Sequence, residues 1–207
     1  MKSARSDTRA VILEAARERL LADGYGGLST RRVAEAAGVP LSQLHYHFGS
    51  KQQMILSLLE EENRRRLARQ TQMYAEDEPL WKRYEQACDY LEDDLDSGYV
   101  RVLQEMIAAG WSNPEVGDAV RELLRGWSDL LIGVAAETER SHGPLGPFTA
   151  EEAATLIVNA FIGAEALLLL GFDRRRLPIR SALRRIAVVI RQLEERGATD
   201  EGMPADH

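Results

Sequence analysis

Apolar residues recur along most of this chain at intervals of three and four, the spacing that places them on one face of an α-helix. The pattern is clear where Leu80, Tyr84, Cys88 and Leu91 follow one another. Similar stripes, separated by turn residues, predict about nine helices. Their expected ranges are 7–22, 29–37, 40–48, 50–73, 80–98, 100–110, 113–140, 150–171 and 179–196. Since no two segments alternate like paired strands, the pattern predicts an all-α fold.

Capping signals indicate where several of these helices begin. Ser50 with Gln53, and Thr149 with Glu152, have the spacing of a capping box, in which each residue satisfies a backbone N–H of the other. Ser29 stands before a short helix and is expected to cap it. These signals predict defined N-termini for three helices.

The segment 31–51, RRVAEAAGVPLSQLHYHFGSK, predicts two short helices joined by a tight turn. Ala34 is small where two helices would cross, Gly38 can take the left-handed conformation of a turn, and Leu44 would anchor the second helix. This pattern is typical of a helix–turn–helix, whose second helix enters the DNA major groove. The residues expected to face outward are Leu41, Ser42, Gln43, His45 and Tyr46.

Charge is divided unevenly along the chain. The net charge is −7, yet residues 1–52 hold eight Lys and Arg against five Asp and Glu, which leaves −10 for the remainder. A basic end favours contact with DNA phosphates, and an acidic body does not. We therefore expect a DNA-binding domain over residues 1–49 and a separate helical domain over residues 50–207.

The composition is ordinary for a soluble globular protein, with 44% hydrophobic and 29% charged residues. A single cysteine, Cys88, excludes an internal disulfide and a zinc site built from several cysteines. The N-terminus has no apolar stretch typical of a signal peptide, so we expect a cytoplasmic protein.

The phrases GLSTRRVAEAAGV and LHYHFGSK, near the start of a nine-helix pattern, resemble the tetracycline-repressor (TetR) family of bacterial regulators. The resemblance is specific over about residues 9–56 and only architectural beyond them. It implies an N-terminal three-helix domain that binds DNA and a C-terminal helical domain that dimerises and binds an effector. The expected partners are a double-stranded DNA operator, a second copy of the chain and a small-molecule effector of unknown identity.

The resemblance also assigns DNA-binding roles to individual residues. Gln43 is expected to read a base, since an amide can pair with adenine through two hydrogen bonds. Lys51 is expected to meet a phosphate near the start of the next helix. His45 stands where the family usually has Tyr, and Tyr46 follows it, so the aromatic phosphate contact stays open between them. The full set is Thr30, Arg31, Leu41, Ser42, Gln43, His45, Tyr46, His47 and Lys51.

Residues 153–172 contain one charged side chain, Glu165, and permit two interpretations. The first is a membrane span, in which Glu165 and Asn159 would be costly. The second, which we favour, is a helix buried between subunits, where Gly163 would allow close approach. We therefore expect a homodimer formed through residues 150–171 and 179–196, and no membrane contact.

An effector site in the helical body would draw on aromatic and polarisable side chains, although each of these is also a common core residue. The acidic body disfavours a strongly anionic effector, and Trp and Tyr among aliphatic residues suit a partly apolar molecule. The candidates are Tyr84, Cys88, Tyr99, Met106, Trp111, Trp127 and Phe161.

No catalytic motif is present, so neither an enzyme nor a cofactor is expected. His45 and His47 point about 200° apart on a helix and cannot chelate one ion. The acidic residues of 92–96 lack the spacing of a calcium loop and are expected to form a solvated helix end. Two alternatives stay open: a constitutive dimeric DNA-binding protein without an effector, and a helical enzyme or adaptor that has lost DNA binding.

Overall fold

The structure is a computed structural model that describes residues 2–172 and 176–200. These residues form helices and no strand, which confirms the all-α prediction. The helices are α1 (Lys2–Gly27), α2 (Thr30–Ala36), α3 (Leu41–Phe48), α4 (Lys51–Tyr74), α5 (Leu80–Asp96), α6 (Tyr99–Gly110), α7 (Pro114–His142), α8 (Ala150–Leu169) and α9 (Ile179–Asp200).

Contacts divide the chain into two compact units. The first comprises residues 1–65 and 98–123, and the second comprises residues 66–97 and 124–207. This division does not follow the expected boundary after residue 49, because α6 packs against α1 within the first unit. The functional boundary between residues 49 and 50 stays a prediction.

The first unit is built around α1, against which α2, α3 and α6 pack. Helix α1 is broken at Gly24, whose φ of 69° and ψ of 172° are not helical. Burial of Ile12, Val33 and Leu44 is complete, and Ala34 is 3% exposed. The expected anchoring of the helix–turn–helix by small and aliphatic residues is therefore present.

The capping signals had different outcomes. Thr149 Oγ1 accepts the Glu152 N–H at 3.2 Å, and the Glu152 carboxylate accepts the Thr149 N–H at 3.0 Å, so this capping box is complete. Ser50 Oγ accepts the Gln53 N–H at 3.1 Å, but the Gln53 side chain donates to Glu115 instead of completing the box. Ser29 occupies the N-cap of α2 without a side-chain hydrogen bond.

In the second unit, α9 packs along α5 through Leu183 and Ala187, which are 5% and 2% exposed. The Glu194 carboxylate of α9 accepts the Leu80 N–H at 2.7 Å and the Trp81 N–H at 3.3 Å. A carboxylate at this position satisfies unpaired amides at the start of α5 and complements the helix dipole. The two helices are therefore joined by polar contacts as well as by their core.

The acidic segment at the end of α5 is only in part the solvated surface expected from the sequence, because Asp93 and Asp96 are exposed whereas Asp94 is buried. Asp94 is 9% exposed and accepts from Arg66 Nε at 2.8 Å and from Arg69 Nη2 at 3.1 Å. Glu92 also pairs with Arg180 Nε, at 2.6 Å. For Asp94 the expectation was wrong because its arginine partners lie 25 and 28 residues away, beyond the reach of a local pattern.

We expect Asp94→Asn to lower the free energy of unfolding by about 3 kcal/mol, because it removes the buried carboxylate charge that pairs with both Arg66 and Arg69. Urea unfolding followed by circular dichroism measures the change. Asp93→Asn is the matched control, since its neighbouring carboxylate is exposed and should shift stability by less than about 0.5 kcal/mol. Equal effects from the two variants would contradict a specific role for the Asp94 ion pairs.

Candidate DNA-binding surface and body cavity

Helix α3 is held to the first unit by two buried side chains, Leu44 at 0% and Phe48 at 7% exposure. The turn before it contains Gly38 with φ 64°, and the Val39 N–H bonds the Ala34 carbonyl at 3.0 Å. Because the short turn holds α3 close to α2 and only one side of α3 is buried, the opposite side of α3 faces solvent. The exposed residues on this helix are Leu41, Ser42, Gln43, His45 and Tyr46.

Gln43 lies in the first turn of α3, where its backbone N–H bonds the Pro40 carbonyl at 2.9 Å. Its side-chain amide is exposed and has no hydrogen-bond partner among the residues that the structure describes. Both amide groups can therefore reach a base edge without breaking an existing bond. Base reading by Gln43 stays a prediction that this geometry favours.

The geometry distinguishes His45 from Tyr46. His45 Nδ1 lies 3.0 Å from the Gly49 carbonyl oxygen, and because a carbonyl only accepts, Nδ1 carries the hydrogen. This bond occupies Nδ1 and leaves only Nε2 of His45 for a further partner. Tyr46 is 62% exposed and carries a hydroxyl donor. This favours Tyr46 for the aromatic phosphate contact that the sequence left open.

Other residues assigned to DNA binding lie near the ends of α2 and α3. Thr30 is half-buried in the first turn of α2, and the exposed Arg31 lies 3.8 Å from Glu35. His47 is half-buried, with its ring centroid 5.3 Å from that of Tyr46. An exposed ion pair such as Arg31–Glu35 is weak and would yield readily to a phosphate.

Lys51, the first residue of α4, contacts the segment that follows the break in α1. Its Nζ donates to the Tyr25 carbonyl oxygen at 2.5 Å and lies 4.5 Å from the centroid of the Tyr25 ring. Burial lowers the pKa of Lys51. The ammonium has three donors, so the Tyr25 contact leaves two for a phosphate. Sequence reasoning missed this intramolecular role, because the bond joins residues 26 positions apart.

The seven candidate ligand residues do not form one group. In the second unit Tyr84, Cys88 and Phe161 lie in or against the core, with the Tyr84 and Phe161 rings 6.0 Å apart. Burial raises the pKa of the Cys88 thiol to about 11, which keeps it protonated and weakly nucleophilic at neutral pH. Trp127 is half-buried in the same unit.

The other three candidates belong to the first unit. The Tyr99 hydroxyl donates to Asn63 Oδ1 at 3.0 Å, and Met106 is completely buried. Trp111 is 82% exposed at the end of α6. Tyr99 and Met106 are therefore core residues and Trp111 is a surface residue, so the three do not form a shared binding site.

A cavity of about 670 Å³ lies within the second unit. Its walls come from the end of α4, the loop 75–77, the start of α5 and residues 129–142 of α7. None of the seven candidate residues lines it. Sequence reasoning missed this cavity because it searched for aromatic and polarisable side chains, whereas the walls mix acidic, hydroxyl and aliphatic residues from segments that are distant in sequence.

Among the described residues, no group of three or more His, Cys, Asp or Glu side chains could hold a metal ion. The only described helix long and apolar enough to cross a membrane is α8, and 17% of its most apolar window is buried. A single helix of this kind is weak support for a membrane span, because a helix at a subunit interface has the same composition.

Residues 12–58 match the family model described as bacterial regulatory proteins, TetR family. The match covers the second part of α1, all of α2 and α3, and the start of α4. It therefore includes the helices that hold the exposed surface of α3 in position. Over these residues the chain is similar to the TetR family. The match agrees with the resemblance noted in the sequence, and the all-helical fold expected there is confirmed.

Solved TetR-family structures share the fold over nearly the whole length of this chain. A TetR transcription regulator from Haloarcula marismortui is 19% identical, with a TM-score of 0.74 over 89% of this chain and 96% of that one. A TetR-family regulator from Agrobacterium tumefaciens is 20% identical, with a TM-score of 0.72 over 91% and 98%. FadR from Bacillus subtilis, solved in complex with stearoyl-CoA, is 16% identical, with a TM-score of 0.70 over 87% and 96%. No curated protein sequence matches the chain.

We expect Gln43→Ala to cost about 1–3 kcal/mol of binding to the preferred DNA and to relax specificity at one base pair. Fluorescence anisotropy on a set of singly substituted DNA sites measures both effects. Gln53→Ala, at the start of α4, is the control for loss of an exposed amide outside α3. Unchanged discrimination by Gln43→Ala would overturn its assignment as a base reader.

We expect Lys51→Ala to weaken binding to all DNA sequences alike and to reduce the slope of log affinity against log salt by about 1, since one phosphate contact is lost. The same anisotropy assay over a range of salt concentrations measures the slope. A slope that stays unchanged while the unfolding midpoint falls would show that Lys51 serves only the Tyr25 contact.

Proposed function

We propose that this protein is a ligand-responsive repressor of the TetR family that binds a palindromic operator as a homodimer and acts in the cytoplasm. The observation that carries the proposal is the coexistence of a solvent-exposed α3 with an uncovered apolar surface on α8 and α9. The first feature supports DNA reading, and the second supports pairing of two copies.

Several large apolar side chains of α8 and α9 are exposed. Leu156 on α8 is 51% exposed, and Val188 and Val189 on α9 are 50% and 55% exposed. A Cβ built on Gly163 meets no atom within 4 Å, so another helix could approach α8 closely there. Exposed apolar residues that cluster on neighbouring helices are typical of a protein–protein interface.

A two-fold dimer explains how a short α3 would achieve specificity. Symmetry would present two copies of α3 to successive major grooves, about 34–36 Å apart, on a palindromic site. An effector that favours a dimer with a different separation would weaken operator binding. Coupling of about 1–3 kcal/mol, typical of allosteric proteins, corresponds to a roughly 5- to 150-fold change in affinity.

The cavity in the second unit supports an effector. Its volume of about 670 Å³ lies within the range of small-molecule sites, roughly 300–1,000 Å³. The structurally similar FadR was solved with stearoyl-CoA bound, which shows that a protein of this fold can hold a ligand. A constitutive regulator without an effector would have no need for such a cavity.

The DNA immediately upstream of the gene provides the first test. We expect anisotropy at two salt concentrations to show tight binding that scrambled competitor does not displace and that weakens with salt, because phosphate contacts release counterions. Binding no better than that of scrambled DNA would contradict autoregulation, and selection of bound genomic fragments would then test for any specific operator.

Leu156→Glu tests the dimer. We expect sedimentation equilibrium to show a shift from dimer to monomer, together with a large loss of operator affinity, because a charge would be buried in the interface. Trp111→Glu is the matched control: it also replaces an exposed apolar side chain by a carboxylate, but on α6 of the first unit. A Leu156→Glu protein that remains dimeric would place the interface elsewhere.

A further inference from the structure

We propose that the cavity of the second unit selects an organic cation with an apolar or aromatic body. The inference rests on the proposed function in one respect only, namely that this cavity is the effector site. The charge and polarity of its lining residues carry the assignment of ligand class.

The inner part of the cavity is apolar. Tyr74 and Leu80 line it and are 9% and 8% exposed, and Leu130 and Val134 of α7 contribute half-buried aliphatic side chains. The same residues belong to or pack against the core of the unit, so this wall is firmly held. An apolar wall with an aromatic ring favours a ligand with hydrocarbon or aromatic groups, and the face of a tyrosine ring also attracts cations.

The outer part of the cavity is acidic. Glu76, Asp77, Asp129 and Glu137 line it and are exposed. Among the described residues, only Glu137 of these four has an ion pair, with Arg140, which does not line the cavity. Three carboxylates without a counter-charge around one opening create a negative potential, which attracts cations and repels anions.

One cationic side chain, Arg83, lines the cavity, and it is already engaged by a backbone group. Its Nη1 donates to the Tyr74 carbonyl oxygen, and its Nε is buried without a hydrogen-bond partner among the described residues. The fifteen lining residues include four Asp and Glu side chains and one Arg side chain. The excess of acid therefore remains after Arg83 is counted.

A second feature of the lining also points to an occupant. Nδ1 of His142 is buried and has no hydrogen-bond partner among the described residues, although it belongs to a residue that lines the cavity. Buried polar atoms in folded proteins are nearly always paired, by protein groups or by bound molecules. A ligand with an N–H group could pair with this atom, which would add to the preference for a nitrogen cation.

Tetraphenylphosphonium and tetraphenylborate test the proposal, because they share size, shape and aromatic surface and differ in the sign of their charge. Isothermal titration calorimetry measures binding to the full-length protein. The measurement is made at pH 8, well above the pKa of an unperturbed histidine side chain. We expect the phosphonium to bind and to raise the melting temperature, and the borate to bind at least about tenfold more weakly. Equal binding of the two ions, or tighter binding of the borate, would overturn the proposal.

The double variant Glu76→Gln and Asp129→Asn locates the selectivity. Both side chains are exposed and unpaired, so the variant should fold, which its unfolding midpoint checks. We expect phosphonium affinity to fall roughly tenfold and to lose part of its salt dependence. Glu139→Gln is the matched control, since Glu139 is an exposed acid on α7 that does not line the cavity. Equal losses in the control and the double variant would refute the cavity as the site.

Anisotropy with operator DNA separates this proposal from the proposed function. Phosphonium that binds the cavity and lowers operator affinity supports both. Specific operator binding by a protein that does not distinguish the two ions overturns the cation assignment and leaves the regulator intact. Selective phosphonium binding that leaves operator affinity unchanged supports the cation site and contradicts its role as the effector site.

Discussion

The candidate DNA-binding surface depends on burial of Leu44 and Phe48 beneath α3. A helix of eight residues is too short to be stable in water by itself, so its position must come from tertiary contacts. These two side chains fix α3 against a core in which Ile12 and Val33 are completely buried. Only then can the remaining residues of α3 stay exposed and available to DNA. The recognition of DNA that we propose for α3 therefore rests on a small buried apolar contact.

Sequence patterns predicted the structural features that depend only on residues close together in the chain. The turn at Gly38 and the capping box of Thr149 follow from local steric and hydrogen-bonding rules, and both are present. The same rules failed where a distant residue competes. Gln53 leaves its capping box for Glu115, and Asp94 is buried because Arg66 and Arg69 reach it.

The cavity illustrates the same limit at larger scale. Its lining residues are spread over residues 71–142, and most would be read as surface positions from sequence alone. Acidic residues near a helix end suggest a solvated surface, and only the packed unit brings them around one opening. The aromatic residues selected from sequence instead fill the cores of two units or, like Trp111, face solvent. A site defined by tertiary assembly carries no local signature.

The break in α1 has a consequence for modular engineering of this protein. After Gly24, the Tyr25 N–H bonds the Glu105 carboxylate of α6, while the Tyr25 carbonyl accepts from Lys51 of α4. Arg101 of α6 also donates to the Leu21 carbonyl, at 3.0 Å. A chimera that fused only residues 1–49 to a foreign body would leave these partners behind. A fragment that keeps these contacts therefore includes α6, and it is discontinuous in sequence.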